Sequence, residues 1–372
     1  LGQEGLIYRH LTARSDPLKR LSGGNPMKHR FLLLIVTISI VTSILLMAVP
    51  IMGQAPNPSV KATSTAKPWT PPKTPWGDPD LQGVYTSDDY INVGLQRNTA
   101  LGTRLYSTDE EITARETQIQ TATQNALQEF ANPNANIGTG PPGHWGERAR
   151  RPALQTSLII QPEDGRMPAL TAEGQQRQAA AQAARQTGNW DSYSFYIRCI
   201  SRGLAGSILP VIYGNGTEIV QGPGYVAILQ EMVHEARIIP LNGSPHVGGG
   251  VRSYMGDSRG RWEGDTLVID TTNFLPNQTG IGVNGGGAPT SEALRITERL
   301  TRADNDTINY EMRVEDPKTF TAPFTIAYPI RQEPGYQNFE YGCHEGNHGM
   351  MNQLSGSRAD EKAAAEAARQ LK

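Results

Sequence analysis

The chain has 372 residues, with 34 Lys and Arg against 36 Asp and Glu, for a net charge of −2. That near-balance, with no run of five basic side chains, argues against nucleic acid or an anionic membrane surface as a partner. Gly and Pro are abundant, at 39 and 26 residues, which favours many turns over long helices.

Residues 1–26 contain no Met and no apolar period, and read as translated upstream sequence outside the fold. Met27 then opens a segment in which Lys28, His29 and Arg30 precede the apolar run Phe31 to Val49. Gly53-Gln54-Ala55 places small residues where a signal peptidase reads. This predicts a signal peptide over residues 27–55 and a periplasmic or secreted protein. An uncleaved anchor is the alternative, since about 19 apolar residues just span a bilayer. No other membrane contact is expected. Setting aside residues 1–55, which hold six Lys/Arg and two Asp/Glu, leaves 28 basic and 34 acidic side chains, net −6. Residues 56–80 are Pro-rich and predict an extended linker.

Leu81 to Thr86 reads as a first strand. A helical insertion follows over about residues 107–190. Its first helix runs from Thr108 to Phe130, with Ser107 or Thr108 as N-cap and acids in the first turn. Its second runs from about Thr171 to Thr187. Neither has a wide apolar stripe, so both are expected on a surface. From Thr217 onward the period becomes two. Ile308, Tyr310, Met312 and Val314 share one face of a strand, and Asn309, Glu311, Arg313 and Glu315 the other. Phe324, Ile326, Tyr328 and Ile330 repeat the pattern. About nine strands with short links predict a mainly β fold, an antiparallel meander closing into a β-barrel or strongly curved sheet. A single β-rich domain over 81–357 would end in a helical tail, 358–372.

Cys199 and Cys343 are the two cysteines. An even count in an exported chain predicts that they are bridged. Beside Cys343 stands His344-Glu345-Gly346-Asn347-His348, which spells the H-E-x-x-H pattern of zinc proteases. Zinc would need both histidines on one helical turn, with Glu366 as a third ligand. Gly342, Gly346 and Gly349 oppose that helix, each costing about 1 kcal/mol against Ala. The segment is therefore expected to be a loop, with no metal and no other cofactor. His234, His246 and His344, with Glu345, Arg252 and Trp262, are candidates for a polar rim around an apolar pocket. Such a pocket would bind a small apolar or amphipathic molecule. If the protein is an enzyme, His344 and Glu345 would act as acid and base in a cofactor-free hydrolase or lyase.

Several phrases, GYVAILQEMVHEARIIPLNGSPH, YMGDSRGRWEGDTLVIDTTNF and FEYGCHEGNHGMMNQLSGSRADE among them, resemble a large family of exported bacterial proteins of unassigned function, seen especially in acidobacteria and proteobacteria. The resemblance spans roughly residues 68–362. It implies export and a β-rich body, with an aromatic such as Tyr common at the position of His348, and it implies no reaction. The first strand and the later meander are also similar to lipocalins.

Overall fold

The computed structural model describes residues 69–132, 146–185, 188–333 and 335–370. The upstream stretch, the signal segment and the first part of the linker lie outside the described residues, as does the side chain of His234.

Among the described residues ten strands build one antiparallel sheet. They are β1 (Gly83–Thr86), β2 (Ile159–Gln161), β3 (Thr217–Gly222), β4 (Tyr225–Gln230), β5 (Ala236–Pro240), β6 (Asp257–Glu263), β7 (Thr266–Thr272), β8 (Arg295–Arg302), β9 (Thr307–Glu315) and β10 (Phe324–Gln332). Their order is β5-β4-β3-β1-β10-β9-β8-β7-β6, with β2 on β10. β1 pairs with Arg331 and Gln332 of β10, and β2 takes Thr325 and Ile326. The early strand β1 thus joins two later meanders into one surface. The end strands β5 and β6 lie side by side. Any Cβ on Gly260 would collide with Leu241 and Ile239, so only glycine permits this approach. Among the described residues no hydrogen-bonded ladder joins β5 to β6. The sheet is a nearly closed barrel with one unlaced seam.

Alternation sets the register. Ile308, Tyr310, Met312 and Val314 of β9 are buried, whereas Asn309 is exposed and Glu311, Arg313 and Glu315 are half-buried. Met312 faces Ile326 on one side and Glu298 on the other. A one-residue slip would turn the whole apolar row outward. Glu298 is an acid on an inward face, and it is fully buried. Arg237 of β5 donates two N–H groups to it at 2.6 and 2.9 Å, and the Tyr310 hydroxyl donates at 3.0 Å. This forked pairing offsets part of the desolvation of both charges. It also links β5 to β8, strands that are not neighbours in the sheet, across the barrel interior.

Among the described residues four α-helices accompany the sheet: α1 (Asp109–Ala131), α2 (Ala172–Arg185), α3 (Gly203–Ile208) and α4 (His348–Gln370). Thr108 caps α1 in a reciprocal capping box with Glu111. Ile112, Arg115, Ile119 and Ala126 form its narrow inward stripe, and most other positions are exposed. Every residue of α3 is buried, and the Tyr328 hydroxyl donates to the Ile208 carbonyl at 2.5 Å.

Two boundaries differ from the sequence reading. The linker is fastened to the sheet from Trp69 onward: Lys73 pairs with Asp265 at 2.9 Å, and Gln221 donates to the Pro79 carbonyl at 3.1 Å. The terminal helix begins at His348, ten residues before the expected tail. Asn347 caps it, its Oδ1 accepting from the Met350 N–H at 3.1 Å. Tertiary bonds then hold the stretch through Gly356, where the local sequence argues for a break. Tyr193 bonds Ser357 at 2.6 Å, and Arg358 donates to the Gly188 carbonyl at 2.9 Å.

Candidate functional site

The residues singled out from the sequence have separate partners. His246 lies between two acids, with Nδ1 2.8 Å from Asp257 and Nε2 3.2 Å from Asp270. Those acids are held in turn by Arg259 and Arg295, so His246 belongs to a charge network along β6 and β7. Arg252 donates to the carbonyls of Phe274 and Glu292, both at 3.2 Å, and pins two loops. Trp262 packs against the barrel core, and its buried indole N–H has no partner among the described residues. The backbone at His234 closes a short helical turn after β4.

Cys199 and Cys343 are joined by a disulfide. Past it, residues 343–346 form a turn in which His344 and Glu345 are exposed. Asn347 ends the turn and His348 starts α4, so His344 and His348 do not sit one turn apart on a common helix. Glu366 is exposed far along that helix. Among the described residues no three His, Cys, Asp or Glu side chains group as metal ligands. The positions that would have formed a rim or a catalytic pair at His344 and Glu345 therefore lie on an exposed turn, because the glycines favour turning there.

A different constellation forms at Asp88, just beyond β1. Asn215 Nδ2 donates to Asp88 Oδ1 at 2.8 Å and to Glu147 Oε2 at 2.9 Å. The backbone N–H groups of Gly214 and Asn215 donate to Glu147 at 2.8 and 3.3 Å. Tyr336 reaches Glu147 at 3.4 Å and also bonds Glu231. Asp88 is only 5 % exposed. Burial pushes its carboxyl up to about 8, and Glu147 adds to the rise through a hydrogen bond and its charge. At neutral pH Asp88 therefore keeps its proton.

Glu147 borders two adjoining clefts, and Asp88 one of them. One, of about 770 Å³, is lined by Asp88, Glu147 and Tyr336. The other, of about 580 Å³, lies beneath α1 against Ile91, Val93, Ile119, Ala126, Ala153 and Ile212. Both share Ile119, Glu147 and Ala149. Arg115 fixes the helix over the cleft by donating to the carbonyls of Ala153 and Gln155, the latter at 3.0 Å. The apolar cleft is thus under the helix expected to be a mere surface feature.

Sequence reasoning missed Asp88, Glu147, Asn215 and Tyr336. They come from four distant segments, and no local spacing marks them; the one usable signal was a second acid beside Asp89 at the end of a strand. No protein-family model matches the chain, and neither does any curated protein or solved structure.

Proposed function

We propose that this chain is an exported β-barrel protein that binds a small, mainly apolar molecule in the cleft beneath α1. The observation that carries this reading is an apolar cleft of about 580 Å³ whose margin includes Glu147. That size and mixture suit a small-molecule site, in which apolar walls supply affinity and a few polar groups set orientation. Glu147 takes the orienting role first given to the histidine rim. Nucleic acid is not proposed as a partner, nor is the membrane beyond the leader segment.

A second reading is favoured by a protonated Asp88 held on the same amide as Glu147. Asp88 as acid and Glu147 as base would serve a cofactor-free hydrolase or lyase in place of His344 and Glu345. The two readings part at one substitution. Asp88→Asn keeps the shape and the hydrogen bonds but removes the proton, so a binder would keep its ligand whereas an enzyme would lose turnover.

The test uses protein purified from the periplasm, with N-phenyl-1-naphthylamine as a neutral apolar probe. Saturable binding, lost in Ile119→Asp with little change in melting temperature, is the expected result. Equal binding by wild type and Ile119→Asp, or none by either, overturns the reading.

A further inference from the structure

Arg202 is fully buried, and all three of its guanidinium nitrogens lack a hydrogen-bond partner among the described residues. A charge in that position is costly unless an opposite charge meets it. Glu235 stands close by. It accepts from the Ser201 hydroxyl at 2.8 Å and from the Arg202 backbone N–H at 3.3 Å. Burial draws the guanidinium down to about 10, against the pull of Tyr196, Tyr341, Glu235 and Tyr328.

What surrounds Arg202 is a tyrosine cluster on apolar ground. It gathers Tyr196, Tyr213 and Tyr341. The rings pack on Val211, Met232 and Val233. The Cys199–Cys343 bridge follows Tyr196 and Tyr341 closely in sequence and ties their two segments together. A cleft of about 540 Å³ lies between residues 191–197 and 277–287, with Tyr196 in its lining. Ser201, the neighbour of Arg202, lines it, and so does Asn284, whose Oδ1 is a second buried polar atom without a partner among the described residues.

We propose that Arg202, with Tyr196 and Tyr341, forms an anion-binding site separate from the cleft beneath α1, one that takes the carboxylate of a small organic acid entering past Tyr196. The planar guanidinium fork matches the two oxygens of a carboxylate. A single negative charge suits a single buried cation. A phosphate dianion would bring a second negative charge toward Glu235.

The test compares benzoate, neutral benzamide and phenyl phosphate by calorimetry on the full chain, in wild type, Arg202→Met, Tyr196→Phe and Ile119→Asp. Benzoate is expected to bind at least tenfold more tightly than benzamide. Arg202→Met should lose that preference while melting no lower than wild type, because an apolar side chain suits the site when no anion is present. Tyr196→Phe, a milder change, should weaken benzoate severalfold, and it decides the matter if Arg202→Met does not fold. Ile119→Asp should leave benzoate binding unchanged, which separates this site from the cleft beneath α1. Equal affinity for benzoate and benzamide, unaltered binding in Arg202→Met and Tyr196→Phe, or absence of saturable benzoate binding overturns the site. Tighter binding of phenyl phosphate overturns the carboxylate assignment.

Discussion

Asp88 and Glu147 are held by one amide: Asn215 Nδ2 stands 2.8 Å from the first carboxyl and 2.9 Å from the second. Two acids fixed on one donor cannot both ionise cheaply, and burial decides which keeps the proton. The Asp88 carboxyl is raised from 3.8 to about 8. Between those values the unfolded chain has released this proton and the native chain still binds it, so stability falls as pH rises. The contribution is complete below the unfolded value and is lost once pH passes about 8. Asp88→Asn should therefore lose less stability than wild type between pH 5 and 8.5, as read by urea denaturation. Parallel pH profiles would show that the proton is not held there.

The inward face of β9 makes a sharper claim on stability. Met312 is fully buried, and Arg313 points the other way, to Glu315 at 3.0 Å. Met312→Asp puts a charge into the core and should cost about 3 kcal/mol or more. Arg313→Asp disturbs an exposed ion pair and should cost about 1 kcal/mol or less. Equal melting temperatures for the two variants would refute the inward assignment.

At the start of α4 the cap matters and the neighbouring histidine does not. Asn347 accepts from Met350 and donates to the Ile197 carbonyl at 2.7 Å, which also fixes the turn beside the disulfide. Asn347→Ala should cost about 1–2 kcal/mol, whereas His348→Tyr, at an exposed first helical position, should stay within about 0.5 kcal/mol. Neither zinc nor a chelator should shift the melting temperature. Stoichiometric zinc in the purified protein, lost in His348→Tyr, would restore the metalloprotease reading.

The disulfide joins residues 144 apart in sequence. Cross-linking so long a loop should stabilise the native state by roughly 2–5 kcal/mol. Replacing both cysteines by Ser should lower the denaturation midpoint accordingly, and peptide mapping without reductant should recover the two segments linked. Labelling of both cysteines as free thiols in native, oxidised protein would remove this prediction.

The barrel was legible because its strands bury one face each, so Ile308 to Val314 and Phe324 to Ile330 carry the period in their own spelling. The Thr108 cap was legible for a similar reason, since its partner Glu111 is local. The acid pair was not, because Asp88, Glu147 and Asn215 meet only after β1 has crossed between β3 and β10. Nor was Arg202, whose significance is its isolation from partners, and isolation leaves no mark on a sequence. The glycines of the HEGNH stretch were correctly read as turn-forming through Gly346. They misled beyond it, because Gly349 sits in a helix held by Asn347, Tyr193 and Gly188.

A ring of continuous ladders can change its girth only by breaking backbone hydrogen bonds, each worth about 1 kcal/mol net. Here β5 meets β6 through the side chains of Ile239 and Leu241 resting over Gly260, so the wall can part there while every ladder stays intact. Compliance is concentrated along one line, and the Arg237–Glu298 bond, reaching from β5 to β8, acts as its clasp. Deuterium should accordingly enter first at the seam-facing amides of residues 236–240 and 257–263, and sooner still once the clasp is cut by Glu298→Gln.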